Sequence, residues 1–399
     1  MTQFKKGEYS SAAQIMKAGL TEQPGKEDYL YGLQCGAAYF WADKQESAQM
    51  CFAAADSEKG GYKPLAYERI MLKSSEGEAY LASGDAFARQ SFNQAYALQQ
   101  QSVDEASKQI DELEKEFKKS AKKVKGMPPL SKIVADVERD FDKISAVKAY
   151  ADFVNPYTTW LSAIYTGLNG DTTNAENYLN RVKIFAPDNK WVSSDLSAIK
   201  SDKNHIWIVL EDGMIGKRTI RNLAPSSLRK WNINVSVPDV APGRAGVKKI
   251  QVKGAETLLL ADMTRIAKTD LSKTRRRDII ASVSFEIGKV AVAGTALIGG
   301  EMAAWNKAGK NEPGAAILLS LAGRITAAAV MSADLDWETR NWGALPNTIS
   351  VARIEMPKSR KLTIAEQEIE ISDDITNAVI FVRIPTRDAK PGVIVGKLN

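Results

Sequence analysis

The chain has 399 residues, with 54 Lys plus Arg against 48 Asp plus Glu and a net charge of +6. That excess is too thin over such a length to argue for nucleic acid or an anionic membrane surface. A content of 44% hydrophobic and 26% charged residues excludes disorder as the dominant state.

One His, His205, and two Cys, Cys35 and Cys51, exclude His-pair metal sites, a cysteine-rich zinc site and a disulfide framework. Neither Cys has an evident partner in the sequence. The length predicts two or three structural units. The opening MTQFKKGEYSSAAQIMK is polar where a secretory signal needs an apolar run of about 7–15 residues.

From residue 1 to about 200 apolar residues recur at three and four spacings, which predicts helices. A small–large–small pattern repeats within them: Ala12, Met16, Gly19; Ala48, Phe52, Ala55; Ala88, Phe92, Ala95; and Ala175, Leu179, Val182. Each is preceded by a turn, at Gly7-Glu8, Asp43-Lys44, Gly84-Asp85 or Gly170-Asp171, and Pro24 and Pro187 stop the first and last copies. Small residues let two short helices approach while the large one fills the groove. This spacing resembles the tetratricopeptide repeat, with its period of about 34 residues. Between the third and fourth copies, a seam of Ala106, Ile110, Leu113, Phe117 and Val124 predicts a long exposed helix over 101–126. It would pair as a hairpin with 131–151 across the break Met127-Pro128-Pro129, an insertion of about 101–151. The cluster Lys118, Lys119, Lys122, Lys123 and Lys125 is a solvated helix end, or else meets an acidic partner or membrane surface.

After residue 203 the pattern changes to short β-branched runs: 206–210, 233–237, 248–252, 257–260, 348–355, 361–371 and 378–384. Helical segments at 262–306 and 314–332 separate the two blocks. An α+β domain over 203–399 follows, with a mostly antiparallel sheet and helices on one face. The apolar stretches 279–300 and 315–333 are core helices rather than membrane spans. Glu286, Lys289 and Arg324 sit inside them, and a central charge costs about 2.5–3.5 kcal/mol on insertion scales. No Gly-rich phosphate loop follows a strand, so no nucleotide cofactor is expected.

Several short runs carry a family resemblance: Tyr67-Glu68-Arg69, Tyr80 to Asp85, Asp152 to Pro156 with Leu161 and Tyr165, Ile206 to Gly213, Pro238, and Asp334 through Arg340, Trp342, Leu345 and Pro346. Together they resemble an uncharacterised family of bacterial envelope proteins with tetratricopeptide-like N-terminal halves. Its members are mostly predicted lipoproteins, often encoded beside an outer-membrane activator of penicillin-binding proteins. The resemblance implies a non-enzymatic scaffold on the periplasmic side of the outer membrane, with outer-membrane lipoproteins among its partners. It also implies a lipid anchor, but neither a signal peptide nor a lipidated Cys precedes Gln3-Phe4-Lys5. The expectation is therefore a mature chain lacking its anchor, or a cytoplasmic member of the family.

The densest candidate site is DLDWETRNWGALP, Asp334–Pro346. Trp337, Arg340 and Trp342 are the expected protein contacts, because Trp and Arg anchor interfaces. The alternative is that Arg340 bridges a buried carboxylate while both indoles pack in the core. Arg275-Arg276-Arg277 is read as beginning a helix, where positive charge opposes the dipole and hints at an anionic partner. Glu211-Asp212-Gly213 is an acidic turn, or else Glu211 and Asp336 serve an enzyme acting on cell-wall glycan or peptide, a glycan needing the two carboxylates about 5–9.5 Å apart. His205 has no partner apparent in sequence. The only Lys-dense run, 118–125, lacks aromatics, so nucleic-acid binding is not expected. The function predicted is protein–protein scaffolding in an envelope or surface assembly, without cofactor or metal. A ring or fibre subunit assembling through helices 279–332 is the second prediction.

Overall fold

The structure, a computed structural model, describes residues 1–22, 28–56, 61–121, 126–145, 147–150, 154–306 and 338–399. Among the described residues ten helices fill the first half: α1 (Thr2–Lys5), α2 (Tyr9–Glu22), α3 (Asp28–Trp41), α4 (Gln45–Asp56), α5 (Ala66–Ser83), α6 (Ala88–Ala121), α7 (Leu130–Ile144), α8 (Pro156–Leu168), α9 (Thr172–Lys183) and α10 (Lys190–Ile199). Three antiparallel pairs, α3–α4, α5–α6 and α8–α9, are joined by turns in which Asp43, Gly84 and Gly170 adopt positive φ. The small–large–small positions of these pairs are all in the core: Ala48, Phe52 and Ala55, then Ala88, Phe92 and Ala95, then Ala175, Leu179 and Val182.

The partner helix explains the pattern. A Cβ on Gly36 of α3 would lie 2.3 Å from the Phe52 ring, and one on Gly77 of α5 would lie 2.4 Å from the Phe92 ring. Glycine on the first helix is thus the socket for the large residue on the second. Each ring so buried contributes about 1.5–3 kcal/mol. The first copy departs from this scheme. Its leading helix α1 is a single turn, and α2 packs on α3 instead, with Gly19 against Tyr31.

Cys35 of α3 and Cys51 of α4 form a disulfide, with Cα atoms 5.8 Å apart. This corrects the expectation of unpaired thiols. Sixteen residues separate them in sequence, and only the antiparallel return of the helix pair sets them face to face.

The second half holds β1 (His205–Asp212), β2 (Arg218–Leu223), a 3-10 turn at 226–231, β3 (Val235–Val240), β4 (Gln251–Val252), β5 (Ala255–Glu256), β6 (Leu258–Asp262), α11 (Met263–Asn306), β7 (Thr348–Glu355), β8 (Lys361–Ile364), β9 (Gln367–Glu370), β10 (Ala378–Ile384) and β11 (Gly392–Lys397). Helices followed by a mostly antiparallel sheet domain is therefore the observed architecture. The main sheet runs β11-β10-β1-β7-β6, and among the described residues only its β1–β10 pair is parallel. The run predicted as one strand over 361–371 is a hairpin, because Ala365 and Glu366 both take positive φ. Two-residue hairpin turns favour that geometry, but neither residue is the Gly or Asn that would have flagged it.

β1 is buried along its whole length. Trp207 and Val209, with Val351, Val379 and Phe381, face the helical half in one core that also holds Phe40, Trp160 and Leu179. Ile206, Ile208 and Leu210, with Ile380 and Val382, face the hairpins β4–β5 and β8–β9. One hydrophobic core thus runs across residue 200.

A further core joins Phe117 of α6, Ile133, Val137 and Phe141 of α7, Val235 and Val237 of β3, and Ile280 and Val283 of α11. The segment expected as a long exposed helix paired in a hairpin with 131–151 is therefore packed against the second half. Its helix is a continuation of α6, which runs unbroken for 34 residues. Of the segments weighed as membrane spans, 279–300 belongs to α11 and 315–333 lies outside the described residues. Among the described residues no helix is long and apolar enough to cross a membrane.

Candidate functional site

Buried polar networks hold the sheet half to the helical half, and Trp342 and Glu211, both singled out in the sequence, belong to them. Glu68, in the first turn of α5, accepts from Leu65 N (3.0 Å) and from the Tyr62 hydroxyl (2.6 Å). It is ion-paired with Arg218 of β2, and both side chains are buried. Arg218 Nη2 also donates to the Tyr62 hydroxyl at 3.1 Å, and burial together with Glu68 raises the Tyr62 phenol well above its usual range. Trp342 N donates to the same carboxylate at 2.9 Å.

That bond fixes the fate of the loop expected to bind a partner. Trp342 is 1% exposed and meets Phe52 edge-on, ring centroids 6.1 Å apart. It is a core residue and not a surface contact, because its backbone is tied to a buried carboxylate beneath the helical pairs. Arg340 is half-exposed and grips Glu338 of its own loop through two donors, at 2.7 and 2.6 Å, with its guanidinium 5.7 Å from the Tyr62 ring centre. Glu338 is mostly buried, so the arginine bridges a carboxylate. Trp337, Asp334 and Asp336 lie outside the described residues.

On the same side of the sheet, Asp195 of α10 is wholly buried. It accepts from the indole nitrogens of Trp160 (2.8 Å) and Trp207 (3.0 Å) and pairs with Arg353 of β7. Burial raises its carboxyl, against the pull of Arg353.

Glu211, the candidate catalytic acid, also faces inward. Arg383 of β10 donates Nη1 to the Glu211 carbonyl at 2.9 Å and holds Nε 3.8 Å from its carboxylate. Burial pushes the Glu211 carboxyl up to about 7, and Arg383 opposes that rise. It lines a cavity of about 20 Å³ together with Glu78, Ser75 and Trp342, room for a water and not for a sugar. Asp212 caps the opposite side, accepting from Gly246 N (3.0 Å) and Val247 N (2.6 Å).

Arg275, Arg276 and Arg277 do not begin a helix. They sit inside α11, which starts at Met263. Arg276 pairs with Glu114 of α6 at 2.6 Å, Arg275 lies over the Phe141 ring and 3.8 Å from Asp142 of α7, and Arg277 pairs with Asp278. Internal acids answer these charges, so their position opposes no dipole. His205 opens β1 with its Nδ1 buried and unpartnered among the described residues, and burial lowers its pKa. Lys118 is exposed, whereas Lys122, Lys123 and Lys125 lie outside the described residues.

The open surface lies elsewhere. Two adjoining hollows, of about 580 and about 460 Å³, share Phe87, Gln90 and Gln94 at the start of α6. One continues along α6 past Asn93 to Ala97, and the other reaches Ala53 and Asp56 of α4 and Lys73, Glu76 and Tyr80 of α5. Phe87 is 59% exposed, and Met50, one turn before Ala53, is 73% exposed. Lys73 binds both Asp56 and Glu76 at 2.9 Å, which leaves that end one net negative charge. The sequence did hold a signal. Phe87 falls one residue off the buried stripe Ala88, Phe92, Ala95, and its N–H is held by Asp85 at 2.9 Å in the turn before α6.

Among the described residues no cluster of His, Cys, Asp and Glu could hold a metal ion. No family model, curated protein or solved structure matches the chain.

Proposed function

We propose that the chain is a non-enzymatic scaffold, a tetratricopeptide-like helical array fused to an α+β domain, acting in a bacterial cell-envelope assembly. The carrying observation is the continuous groove over α4, α5 and α6, with exposed Phe87 beside neutral Gln90 and Gln94, and with exposed Met50 one turn before Ala53 on α4. Its occupant is an amphipathic helix of a partner protein. Apolar side chains at three and four spacing seat against Met50, Ala53, Tyr80 and Phe87, and a basic residue faces Asp56 and Glu76. The repeated glycine sockets for Phe52 and Phe92 support the tetratricopeptide-like assignment. The Cys35–Cys51 disulfide supports an oxidising compartment, as the periplasm is. The residues proposed for contact thereby move from Trp342 and the three arginines to Phe87, Gln90 and Gln94.

A photo-crosslinking residue in place of Gln94 tests this in cells. One envelope protein is expected to crosslink through a single amphipathic segment, and Phe87→Glu is expected to abolish the adduct while leaving thermal unfolding unchanged. Crosslinks only to a second copy of this chain would replace the reading with a homo-oligomer. An adduct indifferent to Phe87→Glu would remove the groove from consideration.

A further inference from the structure

Glu78 of α5 and Glu211 of β1 line one small cavity where the helical array meets the sheet. Among the described residues, the titratable and charged groups around these two carboxyls are Tyr157, Tyr9, Asp212 and Arg383. Tyr157 of α8 donates its hydroxyl to Glu78 Oε1 at 2.7 Å, and Tyr9 of α2 donates its hydroxyl to the Arg383 carbonyl at 3.2 Å. Burial holds both phenols neutral. Asp212 is engaged by Gly246 and Val247. Among the described residues Arg383 supplies the one positive charge, and it gives Nη1 to the Glu211 carbonyl and Nη2 to the Ala344 carbonyl at 3.0 Å.

Two carboxyl groups thus face one cation in a site without bulk water, and a buried unpaired charge is disfavoured unless the group neutralises. The cavity of about 20 Å³ exceeds the roughly 10–15 Å³ that one water needs. Its lining includes Trp342, whose Nε1 is buried without a partner among the described residues. An orphan donor and two carboxyls supply the two to four polar partners that a buried water requires.

We propose that Glu78 and Glu211 enclose one water, donated to by Trp342 Nε1, and retain a single proton between them at neutral pH, so that the array–sheet junction is proton-bound. Glu78 carries that proton, since Arg383 lies beside Glu211. Burial first and the neighbouring Glu211 second raise the Glu78 carboxyl, in the same sense. The sign follows from the raised values. The folded state holds protons that the unfolded state releases near 4.5, so the site stabilises fully at acid pH. Its contribution declines as pH climbs toward about 7, where Glu211 ionises.

Denaturant unfolding from pH 5 to 8 tests this on the intact chain. Relative to Glu211→Gln, the wild-type folded-to-unfolded ratio is expected to fall by up to about tenfold per pH unit between roughly pH 4.5 and 7. Glu78→Gln imitates the protonated acid and still accepts from Tyr157, so it is expected to match or exceed wild type at pH 7. Parallel wild-type and Glu211→Gln profiles, or a tenfold or greater loss from Glu78→Gln at pH 7, would overturn the proposal. Should these variants not fold, infrared spectra of glutamate-labelled wild type decide. A protonated-carboxyl band persisting at pH 7 and shifted by Trp342→Phe is expected, and its absence at pH 7 is the contrary result.

Discussion

The two faces of β1 are buried equally and built differently. Toward the hairpins, Ile206, Ile208 and Leu210 meet Ile380, Val382, Leu362 and Ile364, an aliphatic contact. Toward the helical array, Trp207 and Glu211 sit beside Arg353 and Arg383, and Asp195 and Glu78 come across from the helices. Apart from Asp212 at its end, held by Gly246 and Val247, the first face is stabilised by area, which is tolerant of small changes in shape. The second joins two parts of the chain through polar groups that must all be satisfied, since an unpartnered buried donor or charge is costly. A junction of that kind fixes one mutual arrangement of array and sheet, which a scaffold requires of its binding face.

The largest test of this contrast is Asp195→Ala. It strands Arg353 and leaves two indole N–H groups without their acceptor, and breaking a buried pair costs about 3–5 kcal/mol. Chemical denaturation is expected to show that loss, with Asp195→Asn intermediate because it keeps one acceptor oxygen. A loss below about 1 kcal/mol would mean that the array-facing network is ornamental to stability. Next comes the disulfide, which ties α3 to α4 inside the array. Closing a loop of its sixteen-residue span is worth about 3 kcal/mol by chain entropy. Reductant is expected to lower stability by that order in wild type and to leave Cys35→Ser/Cys51→Ser unchanged. Alkylation of unreduced, denatured protein should find no free thiol, and two alkylated cysteines would contradict the pairing.

The aliphatic face was also the legible one. Strands at 348–355 and 378–384 stood out as runs of β-branched residues, and the helix pairs stood out by their small–large–small period. β2 and β11 carry charge or glycine within short runs, in Arg218 and Arg221 and in Gly392 and Gly396, so no period announced them. The polar junction was the least legible part. Glu68 and Arg218 are 150 residues apart, and Glu78 and Tyr157 are 79 apart. Nothing local distinguishes such residues from solvated ones until the fold has brought them together. Trp342 misled for the same reason, since an indole flanked by polar residues looks the same in an interface loop as in a core loop.

The smallest effect is expected on the aliphatic face. Ile208 is fully buried and pairs with Ala352 on one side and Ile380 on the other. Ile208→Val removes one methylene from a site lined by aliphatic groups that can close in. A cost of about 0.5–1.5 kcal/mol follows from lost burial and the residual cavity. The unfolding midpoint should fall by that cost divided by the denaturant slope, with the slope itself unchanged, since the surface exposed on unfolding is the same. The same measurement separates the two modes of construction, because it sets a trimmed hydrocarbon against the loss of one carboxylate on the opposite face. If Ile208→Val cost as much as Asp195→Ala, the aliphatic face would be as exacting as the polar one, and the division of labour across β1 would fail.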